Sequence, residues 1–116
     1  MTLRPPQGSS RKAPVVALDY EIAQEQASAL GRLGRALEAA LAALADHDEI
    51  DHDMAGHEAE PTRNAERKRL VREAGEALWY FIVQREACGL RDPRPVIRDY
   101  RVPVEVYARM GVREPR

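Results

Sequence analysis

The sequence predicts an all-α fold: a long antiparallel helical hairpin followed by two short C-terminal helices. Apolar residues recur every three or four positions over two long segments, as they do along one face of a helix. No segment shows a convincing strand pattern, and Gly and Pro residues mark the ends of the apolar segments. A short acidic connection between the two long segments favours their antiparallel packing.

Composition limits the functions that the chain can have. Its 116 residues suffice for one domain, and its net charge of −1 provides no basic field that would attract nucleic acid. A single Cys excludes an internal disulfide and fits a reducing compartment. The sequence shows neither a signal-peptide core nor an apolar stretch long enough for a membrane span, so we expect a cytoplasmic protein.

Residues 1–14 are expected to form a disordered basic tail, and residues 15–116 a single helical domain. The tail combines turn formers such as Pro5-Pro6 with the basic pair Arg11-Lys12 and has few apolar side chains. A basic arm that touches phosphate is the alternative interpretation. Such arms normally accompany a basic body, which this chain lacks.

The first long helix is predicted from about Leu18 to Ala45. The small residues Ala27, Gly31 and Gly34 lie in its middle, although Gly weakens a helix by about 1 kcal/mol relative to Ala. Close approach of another helix would offset that weakness. The apolar stripe of the first helix consists of Leu18, Ile22, Leu30, Leu33, Leu37, Leu41 and Leu44.

Residues 46–60 are predicted to form an acidic mobile loop. They contain seven carboxylates and all three His residues of the chain. His47, His52 and His57 are weak candidates for a divalent metal site, because their five-residue spacing does not place two of them on adjacent turns of one helix face. We therefore expect a solvated loop that holds no metal or cofactor.

The second long helix centres on residues 70–90, which hold the only Trp, Phe and Cys of the chain. Gly89 is predicted to end this helix in a left-handed Schellman turn. Asp92 is then suited to cap a short helix that has Pro93 at its first position. Pro103 opens the last short helix.

Apolar residues surround the second helix over two turns. One stripe faces the first helix, whereas Trp79, Ile82 and Val83 lie on nearly the opposite side. That side needs cover from the C-terminal helices or from a second copy of the chain. The candidate covering residues are Val96, Ile97, Tyr100, Val106, Tyr107 and Met110.

Five cationic side chains crowd the first turns of the second helix and form a possible anion-binding face. The i,i+4 pairs Arg69–Glu73 and Arg72–Glu76 predict a surface that is partly self-neutralised, and the acidic segment before it could fold over the cations. We favour a neutralised, solvated surface, with anion binding as the alternative. The five side chains are Arg63, Arg67, Lys68, Arg69 and Arg72.

Matching the two apolar stripes, with Leu30 opposite Phe81, places a polar layer near the C-terminal end of the second helix. The favoured interpretation is a layer that fixes the register of the hairpin. The alternative is the floor of a small polar site. The residues of this possible polar site are Gln26, Gln84, Arg85 and Glu86.

No catalytic residue is assigned. Cys88 lies at a helix C-terminus, where the helix dipole disfavours a thiolate, and every His lies in the distant acidic segment. The last helix offers few side chains able to contact base edges, so we do not expect a nucleic-acid partner.

Three segments resemble a known family. QREACGLRD (residues 84–92) and VIRDYRVPVEVYARMG (residues 96–111) are similar to the C-terminal signature of a small bacterial family known only as a domain of unknown function. ALGRLGRALE (residues 29–38) is similar to its first helix. The resemblance implies a bacterial, all-helical protein, and it implies no activity, ligand or catalytic residue.

The leading functional hypothesis is a non-enzymatic helical interaction or regulatory protein. We expect a homodimer whose hairpins combine into a four-helix bundle, because two helices leave the outer faces of a hairpin weakly covered. Another protein partner is also possible. One alternative is a nucleic-acid-associated factor that uses the basic start of the second helix, and another is a metal- or small-ligand-binding protein.

Overall fold

The computed structural model describes residues 7–53 and 60–110, with side chains from residue 14 onward. Over these residues the chain forms four helices and no strand. The all-α prediction is confirmed, and the two longest helices pack together. The helices are α1 (Gln7–Asp53), α2 (Glu60–Ala87), α3 (Arg94–Asp99) and α4 (Val104–Arg109).

Helix α1 is longer than the sequence predicted. It extends beyond Leu18 to Gln7 and beyond Ala45 to Asp53, so the predicted bounds were wrong at both ends. Residues 7–14, predicted as tail, and residues 46–53, predicted as loop, are therefore helical. Residues 1–6 of the predicted tail and 54–59 of the predicted loop lie outside the described residues, and Glu60 is the first residue of α2.

Ion pairs with α2 explain why the acidic end of α1 is helical. Asp48 Oδ1 lies 2.7 Å from Arg67 Nε, and Asp51 Oδ1 lies 2.5 Å from Arg63 Nε. Without these contacts, the carboxylates would be repelled by the negative C-terminal end of the α1 dipole and would destabilise the helix there. The acidic segment thus neutralises positive charge at the start of α2, as the sequence analysis allowed, but it does so as part of a helix and not as a loop.

The core lies between α1 and α2 and continues under α4. Leu37 of α1, Leu78 of α2 and Val106 of α4 are fully buried at its centre. Ten buried hydrophobic residues form the core cluster in the described part of the chain. They are Leu37, Leu44, Leu70, Ala74, Leu78, Phe81, Ile82, Val96, Val102 and Val106.

The predicted cover over the rear of α2 is only partial. Ile82 is buried and Trp79 is half-buried, but Val83 remains 43% exposed. The C-terminal helices therefore do not cover Val83, and cover from a second copy, the other expectation, stays a prediction. The reason is the position of α4, which lies across the first half of α2, where Arg67 and Gly75 contact it.

Gly34 confirms the predicted close approach between helices. A Cβ atom at this position would lie 2.9 Å from the Tyr100 hydroxyl oxygen and 3.3 Å from the Phe81 ring. Gly31 differs, since the side chain of Arg35 on the same helix is its near neighbour. Phe81 thus contacts α1 about one turn beyond Leu30, its predicted opposite residue, in part because helical side chains lean toward their own N-terminus.

Two Schellman turns fix the path after α2. The Gly89 N–H donates to the Glu86 carbonyl at 2.9 Å, the Leu90 N–H donates to the Arg85 carbonyl at 2.8 Å, and Gly89 has φ +88°. This helix end was predicted correctly. A second turn of the same kind follows α3, where Arg101 occupies the left-handed position with φ +53°.

Asp92 performs the capping role that the sequence predicted. Its Oδ1 atom accepts a hydrogen bond from the Arg94 N–H at 3.0 Å, while Pro93 already has helical dihedral angles of −82° and −10°. The Arg94 side chain also pairs with Asp92 at 2.9 Å, which lowers the pKa of that carboxyl to about 2. The short helix α3 therefore starts where the chain leaves the α2 turn.

The first part of α1 projects beyond the hairpin. We call residues 14–26 the α1 extension. At 1.5 Å per residue α1 is about 70 Å long and α2 only about 42 Å. The radius of gyration is 22.0 Å, whereas a compact chain of this length would have about 13 Å. The molecule is therefore elongated, 90 Å along its longest axis.

Candidate functional site

One arginine joins three helices at the closed end of the hairpin. Arg67 of α2 donates hydrogen bonds to both Asp48 carboxylate oxygens, at 2.7 Å and 3.1 Å. It also donates to both Glu105 oxygens of α4, at 2.7 Å and 2.5 Å. We call Arg67, Asp48 and Glu105 the three-helix ion-pair cluster. Two bidentate contacts on one guanidinium fix the position of α4 on the hairpin.

The electrostatics of this cluster indicate a structural role. Hydrogen bonds from Arg67 lower the pKa of Asp48 and the pKa of Glu105, and both carboxylates in turn raise the pKa of Arg67. A general base working near neutral pH needs a carboxylate whose pKa is raised. Asp48 and Glu105 have the opposite shift, so they are suited to hold helices together.

A cleft of about 640 Å³ opens between α2 and α4 beside this cluster. Four of its side chains are cationic and one is a carboxylate. Such a volume lies within the usual range for small-ligand sites. We call it the α2–α4 cleft, and it is lined by Asn64, Arg67, Lys68, Val71, Arg72, Glu105 and Arg109.

Gly75 allows α4 to approach α2 closely beside the α2–α4 cleft. A Cβ atom at this buried position would lie 3.3 Å from Arg109 Cβ and 3.4 Å from the Arg109 backbone carbon. A side chain at this position would require the last turn of α4 to shift by a few tenths of an ångström, so Gly75 favours its close approach to α2. The close approach places Arg109 on the helix face that already carries Lys68 and Arg72, because residues 68, 72 and 75 follow helical spacing.

The cations of the predicted anion-binding face differ in their contacts. Arg63 and Arg67 pair with α1 carboxylates, and Arg69 pairs with Glu66 at 2.5 Å and with Glu73 at 2.6 Å. The predicted Arg69–Glu73 pair is thus confirmed, whereas the Arg72–Glu76 pair stays a prediction. The cationic residues that line the α2–α4 cleft are Arg67, Lys68, Arg72 and Arg109.

Sequence reasoning did not assign Arg109 to this set. The signal that could have identified it is Gly75, a helix-weakening residue in the middle of α2 whose explanation is contact with a second helix. The partner of that contact cannot be read from local spacing. It follows from the turns that return α4 along α2.

The residues of the predicted polar site make local contacts. Gln84 donates to Cys88 Sγ at 3.8 Å, and Arg85 donates to the Asp92 carbonyl at 3.0 Å. Gln26 is half-buried and Glu86 is exposed. The contacts of Gln84 and Arg85 therefore stabilise the C-terminal end of α2 and the turn after it, and a shared polar pocket stays a prediction.

The histidine candidates are distributed along α1 and the connection. His47 Nδ1 lies 3.8 Å from Asp48 Oδ1, His52 is exposed, and His57 lies outside the described residues. Within residues 7–53 and 60–110, no three His, Cys, Asp or Glu side chains are grouped as metal ligands would be. In the same part of the chain, no helix has the length and apolar character needed to cross a membrane.

Taken together, the fold and the site define an elongated helical-hairpin protein whose C-terminal helix is held by one shared arginine. The chain belongs to a family of unknown function, DUF6665, whose model matches residues 3–115. The resemblance to a domain of unknown function is thereby confirmed, while the bacterial origin that it implies stays a prediction. No curated protein and no solved structure gives a significant match.

Proposed function

We propose that this chain is a non-enzymatic helical interaction protein that assembles as a homodimer through the α1 extension. The observation that carries this proposal is an apolar stripe that continues past the end of α2. Val15, Leu18 and Ile22 are 55%, 54% and 48% exposed. By helical spacing they lie on the same side of α1 as Leu33 and Leu37, which α2 covers.

The exposed surface of a single chain supports this proposal. The accessible surface is 8923 Å², whereas a compact monomer of 13.0 kDa would expose about 6,300 Å². Part of the additional surface is apolar, because Val15, Leu18 and Ile22 are each about half exposed, and exposed apolar stripes of this kind are typical of interaction sites. A second α1 extension offers the same apolar stripe, so a two-fold axis would cover both copies with one type of contact.

The rear of α2 provides a second apolar surface for this assembly. Tyr80 and Val83 are 48% and 43% exposed and lie at i,i+3 on α2. They lie toward the C-terminal end of α2, the end beyond which the α1 extension projects. A partner copy packed along both surfaces would complete a four-helix bundle, which is the assembly that the sequence pattern predicts.

Sedimentation equilibrium of the full chain tests the proposal. We expect a dimer that dissociates on dilution, and a Leu18→Glu/Ile22→Glu double variant that is monomeric with an unchanged helical circular dichroism spectrum. Carboxylates introduced into an apolar interface lose solvation without gaining a partner. Gln24→Glu is the matched control, because it adds a carboxylate on the opposite face of the same exposed segment.

Two outcomes would contradict the proposal. One is a wild-type chain that stays monomeric throughout the micromolar range. The other is a dimer that Gln24→Glu weakens as much as the Leu18→Glu/Ile22→Glu variant does, since the interface would then not follow the apolar stripe.

The alternative of a nucleic-acid-associated factor has less support. Three arginines of the basic start of α2, Arg63, Arg67 and Arg69, pair with carboxylates of the same chain. Nucleic-acid affinity depends on cations that can replace counterions at phosphates, and these pairs withdraw cations from that role. We therefore retain the interaction protein, and with it a cytoplasmic location, as the proposed function.

A further inference from the structure

We propose that the α2–α4 cleft binds a small anion that carries phosphate groups. The cleft offers Lys68, Arg72 and Arg109 as cations on two helices, with the Asn64 amide at one end. Lysine and arginine are the side chains that proteins use for phosphate, as point charge and as planar donor respectively. A volume of about 640 Å³ suits a small molecule better than a polymer groove.

The distribution of charge supports an anion at this place. The whole chain has a net charge of −1, so a cationic cleft is a local feature and not a consequence of a basic protein. Arg67 at the cleft wall is already neutralised by Asp48 and Glu105. Within the described residues, Lys68 has no carboxylate in ion-pair contact, and its charge is available to a ligand.

Helix packing brings cations from two helices to one place. The absent side chain of Gly75 allows Arg109 of α4 to lie beside the α2 face that carries Lys68 and Arg72. An anion in the cleft would therefore contact α2 and α4 at the same time.

Arg72 and Arg109 also have other interactions within the chain. An anion would therefore share their guanidinium groups. Each guanidinium has five N–H donors in a fixed fork and can serve two acceptors at once. Arg67 in the same cleft does so, since it donates to two carboxylates on different helices.

Isothermal titration of the full chain with inorganic pyrophosphate at low salt tests the inference. We expect one site per chain, with affinity that falls as salt is added because the contacts are ionic. Lys68→Gln and Arg109→Gln should each weaken binding about tenfold, the usual effect of losing one hydrogen bond to a charged group. Circular dichroism of each variant verifies that the helices remain.

Two further variants separate a built site from general attraction by surface charge. Arg98→Gln removes a cation from α3 that is 74% exposed and does not line the cleft, so it should leave pyrophosphate binding unchanged. Gly75→Ala leaves every charge in place but adds a Cβ atom 3.3 Å from Arg109 Cβ, so we expect Arg109 to shift by a few tenths of an ångström. It should weaken binding several-fold although the net charge is the same.

The inference is overturned if pyrophosphate does not bind at low salt, or if Arg98→Gln weakens it as much as Lys68→Gln does. It is also overturned if a double-stranded DNA fragment binds while pyrophosphate neither binds nor competes with it. That result would assign the cations to nucleic acid. Competition between ATP and pyrophosphate for one site would support a small phosphate-bearing ligand.

Discussion

The two ends of α1 behave in opposite ways. The C-terminal end, residues 46–53, is acidic and has Ile50 as its single large apolar residue, yet it packs against α2 through Asp48 and Asp51. The α1 extension, residues 14–26, carries an apolar stripe and is almost entirely exposed. Apolar character alone therefore does not determine which end is covered.

Chain connectivity explains the difference. α2 follows α1 after a short connection, so its basic first turns necessarily lie beside the last turns of α1. The 28 residues of α2 end before they reach the α1 extension, and α3 and α4 then turn back toward the closed end. The closed end is therefore held by contacts within the chain, whereas the α1 extension is left exposed by the rest of the described chain.

Truncation of leucines on the α1 stripe should change the free energy of unfolding most. It compares a leucine that α2 covers with a leucine of the exposed α1 extension. Leu37→Ala removes a side chain with 0% exposure and should lower the free energy of unfolding by about 2–5 kcal/mol. Leu18→Ala should change it by less than about 0.5 kcal/mol in dilute solution. Chemical denaturation followed by circular dichroism measures both.

The stability effects of Leu18→Ala and Leu37→Ala should depend differently on protein concentration. If the chain dimerises as proposed, the effect of Leu18→Ala should grow as the protein is concentrated, because association would stabilise the folded state by mass action. The effect of Leu37→Ala should not depend on concentration in this way. A large loss for Leu18→Ala in dilute protein would show that the α1 extension is covered within a single chain, contrary to the fold.

Alanine at the two glycines of α1 should give effects of opposite sign. Gly34→Ala forces the Tyr100 hydroxyl and the Phe81 ring to move and should destabilise the protein by about 1–3 kcal/mol. Gly31→Ala meets only the flexible side chain of Arg35 and should stabilise it by up to about 1 kcal/mol. Thermal unfolding of both variants measures the difference.

A loss of stability in Gly31→Ala equal to that in Gly34→Ala would contradict the placement of α2 and α3 against one side of α1. It would indicate a second helix on the Gly31 side.

Replacement of Arg67 should loosen the closed end selectively. Arg67→Gln leaves Asp48 and Glu105 without their shared cation and should destabilise the protein by about 1 kcal/mol, a small value because the cluster is partly solvated. Amide hydrogen exchange should accelerate in residues 46–53 and in α4, with no change in the α1 extension. Arg98→Gln, which removes an exposed cation paired with Asp99, is the control.

The pH dependence of the Arg67 variant follows from the lowered pKa values. Asp48 and Glu105 have pKa values below their ordinary 3.8 and 4.5, so their stabilising effect is complete above those values and is lost as the pH falls below them. The difference between wild type and Arg67→Gln should therefore be constant near neutral pH and shrink below about pH 4. A difference that grew in acid would exclude these carboxylates as the cause.

The sequence predicted those parts of the fold that depend on local chemistry. Gly89 ends α2 in the expected turn, and Asp92 caps the following helix, because both features need only a few neighbouring residues. The sequence predicted that the first helix ends at about Ala45, before an acidic segment, and Asp residues favour turns over helix interiors. The pairing of Asp48 and Asp51 with α2, which reverses that preference, is a tertiary effect.

The candidate site was predictable to a smaller extent. The basic cluster at the start of α2 was evident, but the pairing of Arg63 and Arg67 with α1 and the position of Arg67, Lys68 and Arg72 in the cleft depend on α1 and α4. Spacing within one helix does not contain that information. The exposure of Val83 has the same origin, since it depends on which half of α2 the last helix crosses.

Arg101 gives the smallest expected effect and tests the turn that brings α4 back to the closed end. Its φ of +53° is a conformation that glycine adopts without the steric penalty of a side chain, and the Val102 N–H donates across the turn to the Ile97 carbonyl at 3.0 Å. Arg101→Gly should therefore stabilise the protein by a few tenths of a kcal/mol, since the relief of strain is partly offset by the greater entropy of the unfolded chain. Arg98→Gly makes the same chemical change inside α3 and should destabilise it by about 1 kcal/mol. If both variants lost stability equally in thermal unfolding, the left-handed turn at Arg101 would not be what directs α4 onto α2. The different exposure of the two ends of α1 would then need a different explanation.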